Sequence, residues 1–374
     1  MSRWLSSKPA IRNVRSVLIG LSFVAGTLTP AFAAFHLMTI QEVFIGTPSD
    51  MVNPALTPDQ RAQYVMLRMT TSGQTFVTNA SVRIEDASGN ILGKFGTFNV
   101  GLANGGSVGC AYPTCPAILI GTAAAKNLLG INFDQVVDGQ SGRVALPVSG
   151  GRACFMNGTS MLDCVAWGSF SCTAANCPGG PNASHAGDLS GNGCATNFGT
   201  PAAAGGLRYG ESLTRSAFNC LTKTNSTQFS PQFPKPVNNA GGNINSDSDD
   251  DGLVDALDCS ATDPTIQWAP VEVQHLMVSG QPTSTDSWDS QAGFVGTGVT
   301  YDEIRGRLSQ LVNFADQSCD SPATTATSST DTSLPPAGDG YYYLVRAKGT
   351  GACIGTYGNA SPAVPRDPLL TVCP

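Results

Sequence analysis

The residues best placed to do chemistry run Asp247-Ser248-Asp249-Asp250-Asp251-Gly252-Leu253-Val254-Asp255-Ala256-Leu257-Asp258. Six of these twelve residues are aspartate and none is basic. Like charges a few ångströms apart repel, so the crowding calls for a compensating cation. Asp247, Asp249 and Asp251 alternate, Gly252 follows where a metal loop turns sharply, and Asp255 and Asp258 take loop positions nine and twelve. Leu253, at position seven, offers its carbonyl. Every donor is a hard oxygen, which suits Ca²⁺ and not Zn²⁺ or copper. The expected metal set is therefore Asp247, Asp249, Asp251, Leu253, Asp255 and Asp258, with Ca²⁺ as the cofactor. Position twelve carries Asp258 in place of a longer, bidentate Glu, which predicts a weak site, on the order of 10⁻⁴ to 10⁻³ M. The bland reading of the same residues is an acidic, solvated linker.

The spacing is that of an EF-hand-type loop and resembles the calcium loops of thrombospondin type 3 repeats and of dockerins. Those families use several copies or a pair, and this chain has one. The resemblance implies a clasp between domains rather than a regulatory sensor.

Other chemistry is scarce. The three histidines are His36, His185 and His275. No G-x-S-x-G, H-E-x-x-H or P-loop pattern is present. Ser212, in Gly210-Glu211-Ser212-Leu213-Thr214, lacks the closing glycine of a nucleophile elbow. Glu85/Asp86 and Asp302/Glu303 are adjacent pairs on expected strands, so their side chains point to opposite faces and do not form acid–base pairs. Cleavage after Ala33 would expose Ala34-Phe35-His36, whose amine, backbone nitrogens and imidazole match a square-planar Cu(II) or Ni(II) site. Any third-position histidine offers that geometry. Trp167, Trp268 and Trp288 are the candidates for stacking on sugar, and are expected mostly in the core.

The elements that must hold these residues read as β-structure. The chain has 374 residues, long enough for two or three domains. Only 13% are charged, and 42 glycines and 24 prolines favour strands with many turns. No long stretch of helical periodicity is visible. Arg3, Lys8, Arg12 and Arg15, the apolar run Val17 to Ala25 and Ala31-Phe32-Ala33 together predict a secretory signal. The run is too short for a comfortable membrane span; an uncleaved anchor is the rival reading. Removing residues 1–33 takes away four basic and no acidic residues, leaving 20 − 4 = 16 basic against 27 acidic, or −11. That balance argues against binding nucleic acid or anionic membrane by general electrostatics.

All twelve cysteines follow the signal, and an even count in an exported chain implies disulfides. The spacings suggest the local pairs Cys110/Cys115, Cys154/Cys164 and Cys172/Cys177. Cys319/Cys353 and Cys259/Cys373 are possible long-range pairs, and sequence alone leaves the connectivity open. A zinc site is disfavoured, because the C-x₄-C spacings have no matching second half.

In the first half, Ile40 to Ile45, Tyr64 to Met69, Val82 to Asp86, Ala117 to Gly121, Arg143 to Val148 and Cys154 to Met156 read as short strands of a sandwich or barrel. Ile40-Gln41-Glu42-Val43, Tyr64-Val65-Met66-Leu67, Val82 to Asp86 with its Gly89-Asn90 turn, Ile118-Leu119-Ile120-Gly121 and Gly150-Gly151 before Cys154-Phe155 resemble a lamin-tail domain. The resemblance covers about a third of the chain and implies an immunoglobulin-like sandwich with an interaction role and no catalytic residues. Met66 stands where that family more often has an acid.

Asp163 to Gly168 could add a last strand, Arg208 to Arg215 an edge segment, and Ser230 to Pro236 with Asn238-Asn239-Ala240-Gly241-Gly242 reads as a linker. After the aspartate loop, Val271 to Val278, Val299 to Arg305 and Tyr341 to Ala347 alternate. Tyr341-Tyr342-Tyr343-Leu344-Val345-Arg346-Ala347, followed by Gly349 to Gly355 and Thr356-Tyr357-Gly358, resembles the closing strands of a fibronectin type III domain. That resemblance spans about residues 268–374, implies a spacer or binding sandwich and makes Trp288 its core tryptophan.

The expectation is an all-β chain: a signal peptide (1–33), a lamin-tail-like sandwich (34–160), a Cys/Gly/Pro-rich irregular segment and linker (161–245), a calcium-binding loop (246–266) and a fibronectin type III-like sandwich (267–374). Two immunoglobulin-like β-sandwiches would thus be joined through the loop. The expected function is a secreted or cell-surface, non-catalytic structural or adhesive protein, meeting a protein or polysaccharide surface. The alternative is an exported hydrolase accessory or carbohydrate-binding protein. Five sequons (Asn79, Asn157, Asn182, Asn225, Asn359) matter only in a glycosylating host.

Overall fold

The computed structural model describes residues 38–51, 53, 55–70, 77–99, 112–171, 207, 210–216, 228–244, 246–280, 283–312, 314, 316–360, 364–367 and 373. The expected signal peptide, His36, His185, Cys110, Cys172, Cys177, Asn182 and Asn225 lie outside the described residues. Among the described residues, no helix is long and apolar enough to cross a membrane.

The fold is all-β, in several sheets with few helices. Among the described residues, ten strands precede the aspartate loop: β1 (Met38–Phe44), β2 (Tyr64–Met69), β3 (Ala80–Glu85), β4 (Ile91–Thr97), β5 (Ala117–Gly121), β6 (Gln135–Val136), β7 (Gly150–Asn157), β8 (Ser160–Gly168), β9 (Ser212–Arg215) and β10 (Phe229–Gln232). They form one sheet of order β10-β9-β1-β2-β5-β6 and a second of order β4-β3-β7-β8. Alternation along β2 explains why both faces of the first sheet are apolar. Val65, Leu67 and Met69 enter a core shared with Val82, Ile84, Phe95, Phe155, Val165 and Trp167 of the second sheet. Tyr64 and Met66 point the other way, into an outer core with Phe44 and Leu119.

That outer core is what positions the aspartate loop. It is covered by helix α2 (Ala123–Leu129), which follows the short helix α1 (Pro48–Met51), and by Leu253, Val254, Leu257 and Trp268. Thr122 caps α2 by accepting from Ala125 N at 2.9 Å, and Gly130, at φ +65°, ends it. The helix is a single short stretch with one Thr and one Gly as its only markers, so no long periodicity reveals it.

After the loop come helix α3 (Ala292–Val295) and strands β11 (Met277–Ser279), β12 (Ser284–Ser287), β13 (Thr300–Arg307), β14 (Ser318–Thr324), β15 (Ser328–Asp331), β16 (Tyr341–Lys348), β17 (Asn359–Ala360) and β18 (Val364–Pro365). Two three-stranded sheets, β11-β12-β15 and β14-β13-β16, lie against a core of Ile266, Trp288, Val299, Tyr301, Val345, Ala347 and Cys353. β17 and β18 form a separate ribbon.

Several expectations change. Arg143 to Val148 is not a strand: Leu146 N donates to the Gln63 side chain, and Arg143 makes only an isolated bridge with Lys94. Val271 to Val278 is a strand only from Met277, because His275 sits at φ +53° and interrupts the run. β9 is not an edge segment but lies between β1 and β10, and the supposed linker at Ser230 supplies β10 itself. Residue 160, expected to end the first domain, begins β8 inside the β7–β8 hairpin. The expected closing strand at 356–358 is absent there, where Lys348 makes an isolated bridge to Ile354. Cys154–Cys164 forms across paired strands. The two long-range bridges exchange partners relative to the expectation: Cys259 joins Cys353 and Cys319 joins Cys373.

Candidate metal centre

The loop between β10 and the C-terminal sheets is built from turns. Asp250 and Gly252 adopt left-handed conformations, φ +60° and +99°. An aspartate tolerates that region, and glycine enters it without strain. These two reversals bring alternating side chains to one side. Asp247, Asp249 and Asp251 each place a carboxylate oxygen within 4.8 Å of the others.

Each of these carboxylates, and that of Asp258, divides its work in the same way. One oxygen accepts a backbone N–H: Gly252 N to Asp247 Oδ2 (3.0 Å), Asp251 N to Asp249 Oδ1 (3.3 Å), Leu253 N to Asp251 Oδ1 (2.7 Å) and Ser260 N to Asp258 Oδ1 (2.7 Å). The other oxygen, Asp247 Oδ1, Asp249 Oδ2, Asp251 Oδ2 and Asp258 Oδ2, is shielded from solvent and has no hydrogen-bond partner. A buried acceptor without a donor is costly, so these oxygens call for a counter-charge. Three of the four carboxylates, those of Asp247, Asp249 and Asp251, converge, and Asp258 lies outside that trio while feeling the charge of Asp251 and Asp249.

The electrostatics agree. Burial pushes the Asp258 carboxyl up to about 6, and the charges of Asp251, Asp249 and Asp255 push it the same way. Burial also raises Asp251, with Asp249 and Asp247 adding to it. A divalent cation would reverse both effects. The donors fit Ca²⁺, which takes several carboxylate oxygens in a flexible shell.

The expected set is brought together only in part. Asp255 faces elsewhere: Ser248 N donates to its Oδ1 at 2.7 Å, and the Ser246 and Ser248 hydroxyls donate to its Oδ2 at 2.5 and 2.9 Å. These bonds hold the Asp255 carboxyl below its ordinary range, and both oxygens are engaged in closing the loop. Leu253 contributes a buried side chain to the outer core. Gln267 was not expected at the site, yet its side chain lies beside the Asp251 carboxyl. It stands nine residues past the loop, so loop spacing gives no hint of it.

The loop is anchored on both sides. Leu253, Val254 and Leu257 sit in the outer core of the first sheet. The adjoining Cys259 is bonded to Cys353, and Cys259 N donates to Gln267 O. Thr350 of the C-terminal sheets donates to Asp263 at 2.8 Å.

Elsewhere, Ser212 is buried, with its hydroxyl on Thr214 and the Gln232 carbonyl. His275 is exposed, its Nδ1 2.7 Å from Asp289 Oδ2, at a cavity of ≈ 540 Å³ that Val148, Leu207 and Phe294 also line. Asp302 and Glu303 do face opposite ways: Asp302 meets Arg346 and Lys348, whereas Glu303 meets Ser329. No protein-family model matches the chain, and no curated protein matches it.

Proposed function

We propose that the chain is an exported, non-catalytic structural or adhesive protein whose two sheet assemblies are clasped through a Ca²⁺-binding loop. One observation carries this reading: four aspartates each present a buried, partnerless oxygen on a loop whose apolar side packs on the first sheet. Asp247, Asp249, Asp251 and Asp258 would hold the ion, with Asp255 closing the loop beside it. The bound ion would supply the positive charge that lets the loop fold without self-repulsion.

The disulfides support an oxidising, extracellular setting. The lamin-tail-like reading of the first assembly is supported by β1, β2, β3, β5 and β7 falling on the residues that carry the resemblance. The fibronectin-like reading of the second is supported by β13, β16 and the buried Trp288. A sugar-binding role draws no support from the tryptophans, since Trp167, Trp268 and Trp288 are all buried. Partners would be a protein or polysaccharide surface met by the exterior of the sheets.

The test is a calcium titration of the full chain followed by thermal unfolding and limited proteolysis. With a dissociation constant on the order of 10⁻⁴ to 10⁻³ M, 10 mM Ca²⁺ should stabilise the fold by about 1.4 to 2.7 kcal/mol. Chelation should open residues 247–258 to protease. Equal cleavage there with and without calcium would sink the clasp.

A further inference from the structure

The C-terminal sheets contain a second acidic group with a different geometry. Asp286 on β12 and Glu303 on β13 are both fully buried, at 0% exposure. They come from the two different sheets. Glu303 Oε2 accepts from the Ser329 hydroxyl of β15, and Ser329 is the cross-strand partner of Asp286. Glu303 Oε1 and both oxygens of Asp286 have no donor. The two carboxyls stand within hydrogen-bonding reach of each other. Two acceptor-only carboxylates in contact inside a core cannot both keep their charge, and a carboxylic acid donating to a carboxylate resolves the conflict.

We propose that Asp286 and Glu303 share one proton between the two C-terminal sheets, and that losing this proton drives the sheets apart. The pair is thus a pH-sensitive latch inside the sandwich-like assembly, independent of the calcium loop.

The groups around the pair do not neutralise it. Asp320 on β14 and Asp331 on β15 add negative charge. Arg305 on β13 is the nearby cation, and it is engaged by Asp331 at 2.6 Å and Asp320 at 3.4 Å. Tyr343 on β16 donates to Asp331, at 2.9 Å. Asp302, Arg346 and Lys348 pair among themselves on the other face of β13. β11 brings Met277, Val278 and Ser279, none of them titratable. A cation is a poorer answer than a proton. Only two carboxylates converge, and among the described residues the one group of three or more metal-ligating side chains is the trio Asp247, Asp249 and Asp251.

Burial pushes Glu303 up to about 7 and Asp286 up to about 6, and repulsion between acids adds to both. A carboxyl raised on folding binds protons more tightly in the native state. Its stabilising contribution is complete below the unfolded pKa, near 4, and falls as pH rises through the folded value, near 7.

The test is a carbon-13 NMR titration of the side-chain carboxyls in the full chain, from pH 3 to 9. Glu303 is expected to titrate with a midpoint near 7, coupled to Asp286. Glu303→Gln should remove that step and flatten the fall in melting temperature between pH 4 and 8; Asp286→Asn should shift the Glu303 midpoint downwards. Ordinary midpoints near 4 for both carboxyls in the wild-type chain would overturn the proposal, whether or not the variants fold. So would an unchanged pH slope in both variants. Suppression of the step near 7 by calcium in a chain carrying Asp249→Asn and Asp251→Asn would also overturn it, by making the pair a cation site.

Discussion

The two acidic clusters of this molecule hold similar residues, and under the proposals above they would resolve the same repulsion in opposite ways. In the loop, backbone N–H groups occupy one oxygen of Asp247, Asp249, Asp251 and Asp258 and leave the other buried without a donor. At the Asp286–Glu303 pair no backbone N–H reaches the carboxyls, and a single serine hydroxyl is the donor on hand. The loop side chains are half-buried and the pair is sealed. A turn with two left-handed residues can gather several oxygens near solvent, where a large hydrated ion can enter. Two strands facing across a core gather one side chain each and leave room only for a proton. A third solution appears in the N-terminal sheets, where Arg152 meets Glu85 across the paired strands β7 and β3 of one sheet, and Arg215 of β9 meets Asp163 of β8 from one sheet to the other, both in buried ion pairs. Backbone geometry, more than residue type, decides which counter-charge an acid receives.

The largest expected effect tests whether the loop is held by its apolar seat as well as by its ion. Leu253 is fully buried in the outer core beside Tyr64, Leu129 and Trp268. Leu253→Ala should cost about 2–5 kcal/mol in urea unfolding, in the range of buried Leu truncations. The loss should persist at saturating calcium. If calcium restores full stability, the metal alone organises the loop, and its contrast with the core-sealed pair becomes sharper than drawn here.

Next in size is the division of labour among the aspartates. Asp251→Asn removes one of the three converging charges, and should weaken calcium binding by about tenfold or more, a change of about 1.4 kcal/mol. Asp255→Asn should change affinity little, since both Asp255 oxygens are committed to Ser246 and Ser248. Isothermal titration of the two variants separates these outcomes. An equal loss in both would mean that Asp255 turns inward when the ion binds.

The sequence showed these features unevenly. β2, β5 and β16 are apolar or aromatic runs that fall where pattern reading places them. β12 and β15 are built from Ser, Thr and Asp, β14 adds only Cys, Pro and Ala, and all three carry too little hydrophobic alternation to stand out from loop. β9 was placed at an edge because its central position depends on pairing with β1 almost 170 residues earlier, which no local pattern encodes. The aspartate loop is visible in sequence because its acids are local. The Asp286–Glu303 pair is not: the two residues stand on strands of different sheets, and the spacing of Glu303 from its neighbour Asp302 shows only that these two face opposite ways. Asp255 departs from the expected pattern for a related reason. Loop spacing assigns it a ligand position, while two nearby serines engage it first.

The smallest effect bears on the acid side of the same contrast. Burial works to raise Asp331, but donation from Arg305, Ser333 and Tyr343 outweighs it and holds the carboxyl down to about 2. A carboxyl depressed on folding adds stability above its unfolded pKa, near 4, and that stability is lost as pH falls through about 2. Asp331 and the Asp286–Glu303 pair therefore give the C-terminal sheets opposing pH limbs, with greatest stability near pH 4. Melting curves from pH 2 to 8 should show the acid limb disappear in Asp331→Asn and the neutral limb disappear in Glu303→Gln, each leaving the other in place. If either substitution removes both limbs, the paired and unpaired acids act as one network. The proton-sharing pair would then owe its behaviour to Arg305 as much as to burial.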